Sequence, residues 1–412
     1  MLVCGCDDVS KIRGLADLSA AREALERIKM LWSRAVLRLK VNTPDRELNR
    51  MINGWLPYQT LACRMMGRTS IYQSGGAFGF RDQLQDAASL MLVDPAILRR
   101  HILECCAHQF EEGDVQHWWH PGRVSKGVRT RCSDDLVWLP WALCEYVEKT
   151  GDNSVCFEEV HYLRSKPLEE DQHDRYETPE RSPIAESVAD HCRRAMDMVL
   201  KRGAGAHGLL LIGTGDWNDG MDRVGAEGKG ESVWLTWFFA HTARRFGNLL
   251  KSLGREFEAG AEKYLRAAAE FGRAANEAWD GQWYLRGYYD DGTPLGSQDS
   301  DCCRIDSIAQ SFSTCCPESD PKRRAAALNS AVQHLFDRKN KLVKLFDPPF
   351  ENSRKDPGYI QSYGPGFREN GGQYTHAAMW LVQALLREGR VQDGYEMLKA
   401  LLPSNHDPAV YE

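Results

Sequence analysis

Apolar residues recur along this chain with the spacing of amphipathic helices, and the stretches that carry them open on residues suited to capping. In "LSAAREALERIKMLWSRAVLRLKV", Leu25, Ile28, Leu31 or Trp32, Val36 and Leu39 form one stripe, with Asp17 or Ser19 as its cap. Thr43 followed by Pro44, and Asp94 followed by Pro95, repeat a further device: a capping side chain, then a proline at the first helical position. Pro57 is expected to kink the helix that Thr43 opens. Further helices are expected near 81–93, 133–150, 183–202, 231–252, 257–279, 305–316, 322–337, 373–389 and 391–402. Strand signals are sparse: a hairpin around Asp291-Gly292 and a short extended piece at "KLVKLF". About twelve helices joined by unequal loops predict an all-α toroid of helical hairpins with function on the loops at one end. An irregular helical bundle is the alternative. The polar stretch at about 161–187 is expected to be a surface excursion, and nothing marks a linker inside the chain.

Composition narrows the function by exclusion. The 412 residues carry a net charge of −6, so no basic footprint for a nucleic acid exists. The 13 cysteines are odd in number, scattered, and never spaced as C-x-x-C; they suit reduced thiols in the cytoplasm better than a zinc site, and no metal is expected. No secretory signal and no apolar run of about 20 residues is found, so a cytoplasmic protein without a membrane segment is expected. The 12 tryptophans and 14 tyrosines are generous, and many stand beside charged or amide residues, as in "QHWWH" and "GDWND". Such pairs suit sugars, although aromatic residues also fill cores.

Four polar segments concentrate chemistry. "YQSGGAFGFRDQLQD" (72–86) places Arg81 and Asp82 in the first turn of a helix; they form either a structural ion pair or a hydroxyl-binding carboxylate held by its neighbour. "DVQHWWHPGRVSKGVRTRCSDD" (114–135) holds His117, His120, Arg129, Arg131, Asp134 and Asp135; the two histidines could ligate a metal but lack a convincing third ligand. "GTGDWNDGMD" (213–222) is either a tight turn or a reactive carboxylate beside an indole, and residue chemistry does not separate its three aspartates. "YGPGFRENGGQYTHAAMW" (363–380) carries Glu369 and puts His376 in the first turn of a helix, where an anion would meet the positive end. Together the four supply what a sugar-processing cleft needs. An inverting hydrolase requires two carboxylates, whereas attack by phosphate requires one carboxylic acid and groups to hold the anion.

These motifs, with "GVRTRCSDDLVWLP", "CRIDSIAQSF" and "RENGGQYTHAA", resemble the glycoside phosphorylases of glycoside hydrolase family 94. The likeness runs from about residue 43 to 402 and is strongest toward the 1,2-β-oligoglucan phosphorylases and the phosphorylase-like region of cyclic β-1,2-glucan synthases. It implies an (α/α)6 barrel over 43–412, preceded by a linker-like helical segment at 1–42. The implied reaction is phosphorolysis of a β-glucosidic bond with inversion, giving α-glucose 1-phosphate, with inorganic phosphate as co-substrate and no cofactor. Asp219 would be the general acid. Trp217, Asn218, Arg81, Asp82 and Glu369 would line the sugar site, and His376 would bind phosphate.

The resemblance has two departures. Cellobiose and chitobiose phosphorylases carry a phosphate-contacting arginine near the position of Gly76, so Arg129 or Arg131 is expected to supply that charge here. The resemblance also implies a further segment after "NHDPAVYE", so the barrel is expected to be incomplete at its C-terminus, in a homodimer or a larger polypeptide. A β-glucan oligosaccharide and phosphate are the expected partners.

Overall fold

The computed structural model describes residues 17–67, 75–121, 126–169 and 172–406. Residues 1–16, Tyr72 to Ser74 of the first polar motif, and the end of "NHDPAVYE" lie outside them. The chain is mostly helical, with small antiparallel sheets between the helices.

Helix α1 (Leu18–Leu37) starts where Asp17 accepts from the amides of Ser19 and Ala20, one of the two caps expected. The second helix starts later than the Thr43-Pro44 pair suggests. Asp45 accepts from Glu47 and Leu48, while the Asn49 amide is tied back to Thr43. Helical structure then continues from 46 to 66, and π turns on either side of the segment holding Pro57 take up the irregularity expected of a kink.

Five hairpins follow, each an inner helix returned by an outer one. The inner helices are α2 (Phe80–Ser89), α4 (Asp135–Thr150), α6 (Val233–Leu253), α8 (Ser307–Ser313) and α10 (Thr375–Arg387). The outer ones are α3 (Pro95–Cys106), α5 (Val188–Arg202), α7 (Glu258–Glu277), α9 (Pro321–Leu335) and α11 (Val391–Ala400). Burial separates the two rings. Every residue of α8 is buried, and α6 buries Trp234, Trp237, Phe238 and Phe239 on successive faces, whereas α7 and α9 keep a polar side. Asp94, Ser187, Ser232, Asp306 and Asp320 cap their helices with side-chain acceptors.

The inner helices pack in succession from α2 to α10 around an axial cavity of about 490 Å³, whose walls include Trp138, Trp141, Phe238, Phe312 and Trp380. Among the described residues the ring is not a closed toroid. α10 and α2 do not pack as the other neighbours do, and α10 leaves Met379 and Leu386 exposed.

The 161–187 stretch lies at the surface as expected, but it is built of strands that the sequence did not signal. Strand β1 (Phe78–Gly79) pairs with β2 (Gln116–Trp119), β2 with β3 (Gly127–Thr130), and β3 with β5 (Asp174–Glu177) in one antiparallel sheet. β4 (Glu159–Arg164) pairs with β6 (Glu180–Ser187). Strands β4 to β6 carry charged residues on both faces, so no clean period-two alternation announced them. The hairpin expected around Asp291-Gly292 forms, pairing Gly287–Tyr288 with Pro294–Leu295.

Each inner helix is returned by an outer one, so the inner N-termini share one end of the molecule. Arg81, Asp135 and His376 lie in first turns there, and the 213–222 loop leads toward α6. That end therefore concentrates positive helix dipoles.

Candidate active site

Two aspartates of the 213–222 loop meet arginines, in opposite surroundings. Asp216 is buried. Its carboxylate accepts from Arg286 Nη2 (2.6 Å), the Ser232 hydroxyl (2.7 Å) and the Asn218 amide (3.1 Å). Arg286 lies 3.2 Å from Asp306 on its other side. Burial would raise the Asp216 carboxyl, but Arg286 and these hydrogen bonds hold it below the usual range. Asp222 fixes the far end of the loop by accepting from the Tyr359 amide (2.9 Å). Gly358 adopts φ 111°, and a Cβ there would strike Asp222 Oδ1, so only glycine lets this crossing form.

Asp219 is the open one, its side chain 44% exposed. Arg81 Nη2 donates to Asp219 Oδ1, while Nη1 donates to Asp134 Oδ1 (2.6 Å) and the Asp216 carbonyl (2.8 Å). Asp134 also accepts from Trp138 Nε1 (2.8 Å), and burial pushes its carboxyl up to about 6 against the opposing pull of Arg81. Asp219 Oδ2 faces His117 Nε2 at 3.8 Å. Nδ1 of the same ring is 2.7 Å from Asp135 Oδ2. Burial would lower this imidazole, but Asp135 and Asp219 raise it to about 9.

Asp219 lines two cavities. One, about 220 Å³, is enclosed by Arg81, Asp82, Trp217, Tyr359, Tyr363, Arg368, Glu369, Tyr374 and His376. The other, about 510 Å³, is a more open cleft bounded by His117, Trp118, Thr130, His173, Asp222, Arg223 and Tyr359. In the smaller pocket Trp217 meets Tyr374 edge-on (5.3 Å between rings), and Arg368 lies against both Glu369 (3.3 Å) and the Tyr363 ring. Burial pulls His376 down to about 4, so its ring is neutral at pH 7. No side chain caps α10, whose first-turn amides stay available to an anion. The Asn218 side chain is buried, does not line either cavity, and neither its Oδ1 nor its Nδ2 has a hydrogen-bond partner among the described residues.

The structure thus brings together Asp219, Arg81, Asp82, Trp217, Glu369 and His376. It does not bring the two arginines proposed for phosphate. Arg129 is buried, with Nε and Nη2 on Asp114 (2.6 Å each) and Nη2 also on Glu112 (3.0 Å). Arg131 donates to the carbonyls of Gln172 and Glu169. The reason is strand periodicity: Thr130 and Cys132 face the cleft, so side chains at 129 and 131 point to the other side. The cations beside the sugar-facing acids are instead Arg368, 3.3 Å from Glu369, and Arg64, 3.9 Å from Asp82. Neither Arg368 nor Tyr359, Tyr363 and Tyr374 stands out in the sequence as a site residue, yet all four line the smaller pocket. His120 packs edge-on against Trp118 (5.4 Å) rather than joining His117. His117, Cys132 and Asp135 do place ligand atoms within 4.8 Å, but Arg81 Nη1 stands 3.4 Å from that sulfur and would repel a cation.

A family description, glycosyl hydrolase 94 superfamily, catalytic domain, matches residues 31–411. The chain belongs to this family. Within the curated relatives of the glycosyl hydrolase 94 chain, cyclic beta-(1,2)-glucan synthase NdvB of Rhizobium meliloti is 48% identical over 93% of it. Cellobionic acid phosphorylase of Neurospora crassa is 30% identical over 90%. The chain spans 13% of the first relative and 44% of the second. A solved rhamnosidase from Klebsiella oxytoca, with rhamnose bound, superposes with a TM-score of 0.57 at 14% identity, covering 90% of this chain and 60% of that one, a likeness of fold.

Proposed function

We propose that residues 43–412 form an (α/α)6 catalytic domain that cleaves β-glucosidic bonds of β-1,2-linked glucooligosaccharides with inorganic phosphate and inversion, releasing α-glucose 1-phosphate. The observation that carries this reading is the position of Asp219 on the wall shared by an enclosed pocket and an open cleft. A terminal sugar in the enclosed pocket and the rest of the chain in the cleft would put the scissile oxygen beside this carboxyl. The 48% relative named for β-1,2-glucan motivates the linkage.

In this reading Asp219 protonates the departing oxygen. Asp82 and Glu369 accept from sugar hydroxyls, and Trp217 supplies an apolar wall. Phosphate attacks from the opposite face, held by neutral His376, the first-turn amides of α10 and Arg368. One acid then suffices, because the nucleophile is already anionic. A second reading, a glucan-binding module inside a larger synthase, draws on the 13% share of the synthase that the chain spans.

One incubation tests both. With β-1,2-glucooligosaccharides, glucose 1-phosphate is expected to form only when phosphate is added. Free glucose without phosphate would instead make the protein a hydrolase. Binding with no turnover of either kind would leave the module reading.

A further inference from the structure

Arg81 and His117 are the two neighbours of Asp219 that the reaction as described leaves unused, and of the two only His117 can give up a proton. Its surroundings come from several elements: Asp135 from α4, Asp219 from the catalytic loop and Arg81 from α2, with His173, Asp174, Asp222 and Arg223 sharing its cleft. The two oxygens of Asp219 are not equivalent. Oδ1 accepts from Arg81, a guanidinium that always donates, so a proton on this carboxyl belongs on Oδ2. Oδ2 is the oxygen facing His117 Nε2. Asp135 holds the other ring nitrogen, which orients the imidazole and keeps a proton on Nδ1 whether Nε2 is protonated or not. The ring also borders the open cleft, which gives it contact with solvent.

We propose that His117, oriented by Asp135, is the proton store that recharges Asp219 in each catalytic cycle. This rests on the phosphorylase reading above. Asp219 gives its Oδ2 proton to the glycosidic oxygen, which keeps the electron pair of the broken bond to the anomeric carbon. A phosphate oxygen supplies the pair for the new bond to that carbon. As the bond breaks, the alkoxide forming on the leaving sugar, a far stronger base than imidazole, draws the Nε2 proton of His117 onto Oδ2, and the N–H pair stays on nitrogen. Solvent in the cleft reprotonates Nε2, balanced by the proton the phosphate group sheds as it becomes the ester. The 3.8 Å separation is one a small side-chain rotation closes, as catalytic hydrogen bonds do when substrate is bound. His117 acts through Asp219, from the wall of the cleft that holds the leaving sugar.

The test compares two leaving groups and adds a readout independent of turnover. In His117→Gln, kcat with phosphate is expected to fall about 100-fold on a β-1,2-linked glucooligosaccharide but less than about tenfold on a nitrophenyl β-glucoside, whose leaving group needs no proton. KM should move little. By nitrogen-15 NMR, the His117 ring should titrate at lower pH in Asp219→Asn than in the parent, and lower again in Asp135→Asn. Equal losses on the two substrates would overturn the proposal, as would full activity in His117→Gln or a His117 titration indifferent to Asp219→Asn. A parent with no phosphate-dependent turnover would instead overturn the phosphorylase reading, while the titrations still decide whether His117 and Asp219 share a proton.

Discussion

Asp216 and Asp219 stand three residues apart, and each accepts from an arginine, yet they are built for opposite purposes. Around Asp216 the carboxylate is buried and both its oxygens are held: Arg286 is shared with Asp306, and the Ser232 hydroxyl and the Asn218 backbone N–H complete the shell. Around Asp219 one oxygen is held and the other faces two cavities and a histidine. A carboxylate with no open side can only hold its loop in place. One anchored through a single oxygen can keep its position and still exchange a proton.

The contrast breaks most visibly through stability. Asp216→Ala leaves the Arg286 charge buried beside Asp306 alone, and urea denaturation should show a loss of about 3–5 kcal/mol. A loss below about 1 kcal/mol would remove Asp216 from the scaffold. The second expected effect is in pH dependence. His117 is raised in the folded state to about 9 from 6.5, so its contribution to stability is fully present below about pH 6.5 and is lost as pH rises through about 9. Denaturation midpoints measured across that window should fall in the parent and flatten in Asp135→Asn. Smaller still, Asp219→Asn should cost no more than about 1 kcal/mol, because Arg81 keeps Asp134 and the Asp216 carbonyl and the lost partner is half exposed. The smallest effect belongs to Arg131→Ala. Its partners are the carbonyls of Gln172 and Glu169, so the KM for phosphate should stay within about twofold of the parent.

What could be read in advance followed local physics. The stripes and caps located the helices to within a few residues because amphipathic period and capping are properties of short segments. The motifs around Arg81, Asp219 and His376 could be picked out as polar clusters at helix starts, although choosing Asp219 over Asp216 needed the family resemblance. Burial separates them physically, and burial depends on Arg286, which is 70 residues away in the chain. Arg129 and Arg131 were misplaced for a related reason: strand β3 was not foreseen, and its register decides which side chains face the cleft. Tyr359 reaches the site only because Gly358 crosses Asp222, a contact no local pattern encodes.

The central claim is that Asp219 gives the proton while Asp216 holds the loop. The most direct test is phosphate-dependent turnover of a β-1,2-glucooligosaccharide by Asp219→Asn, folded to the same midpoint as the parent. A fall of about 10²- to 10⁴-fold in kcat is predicted. Turnover within about tenfold of the parent would contradict the account and place the acid elsewhere in the cleft.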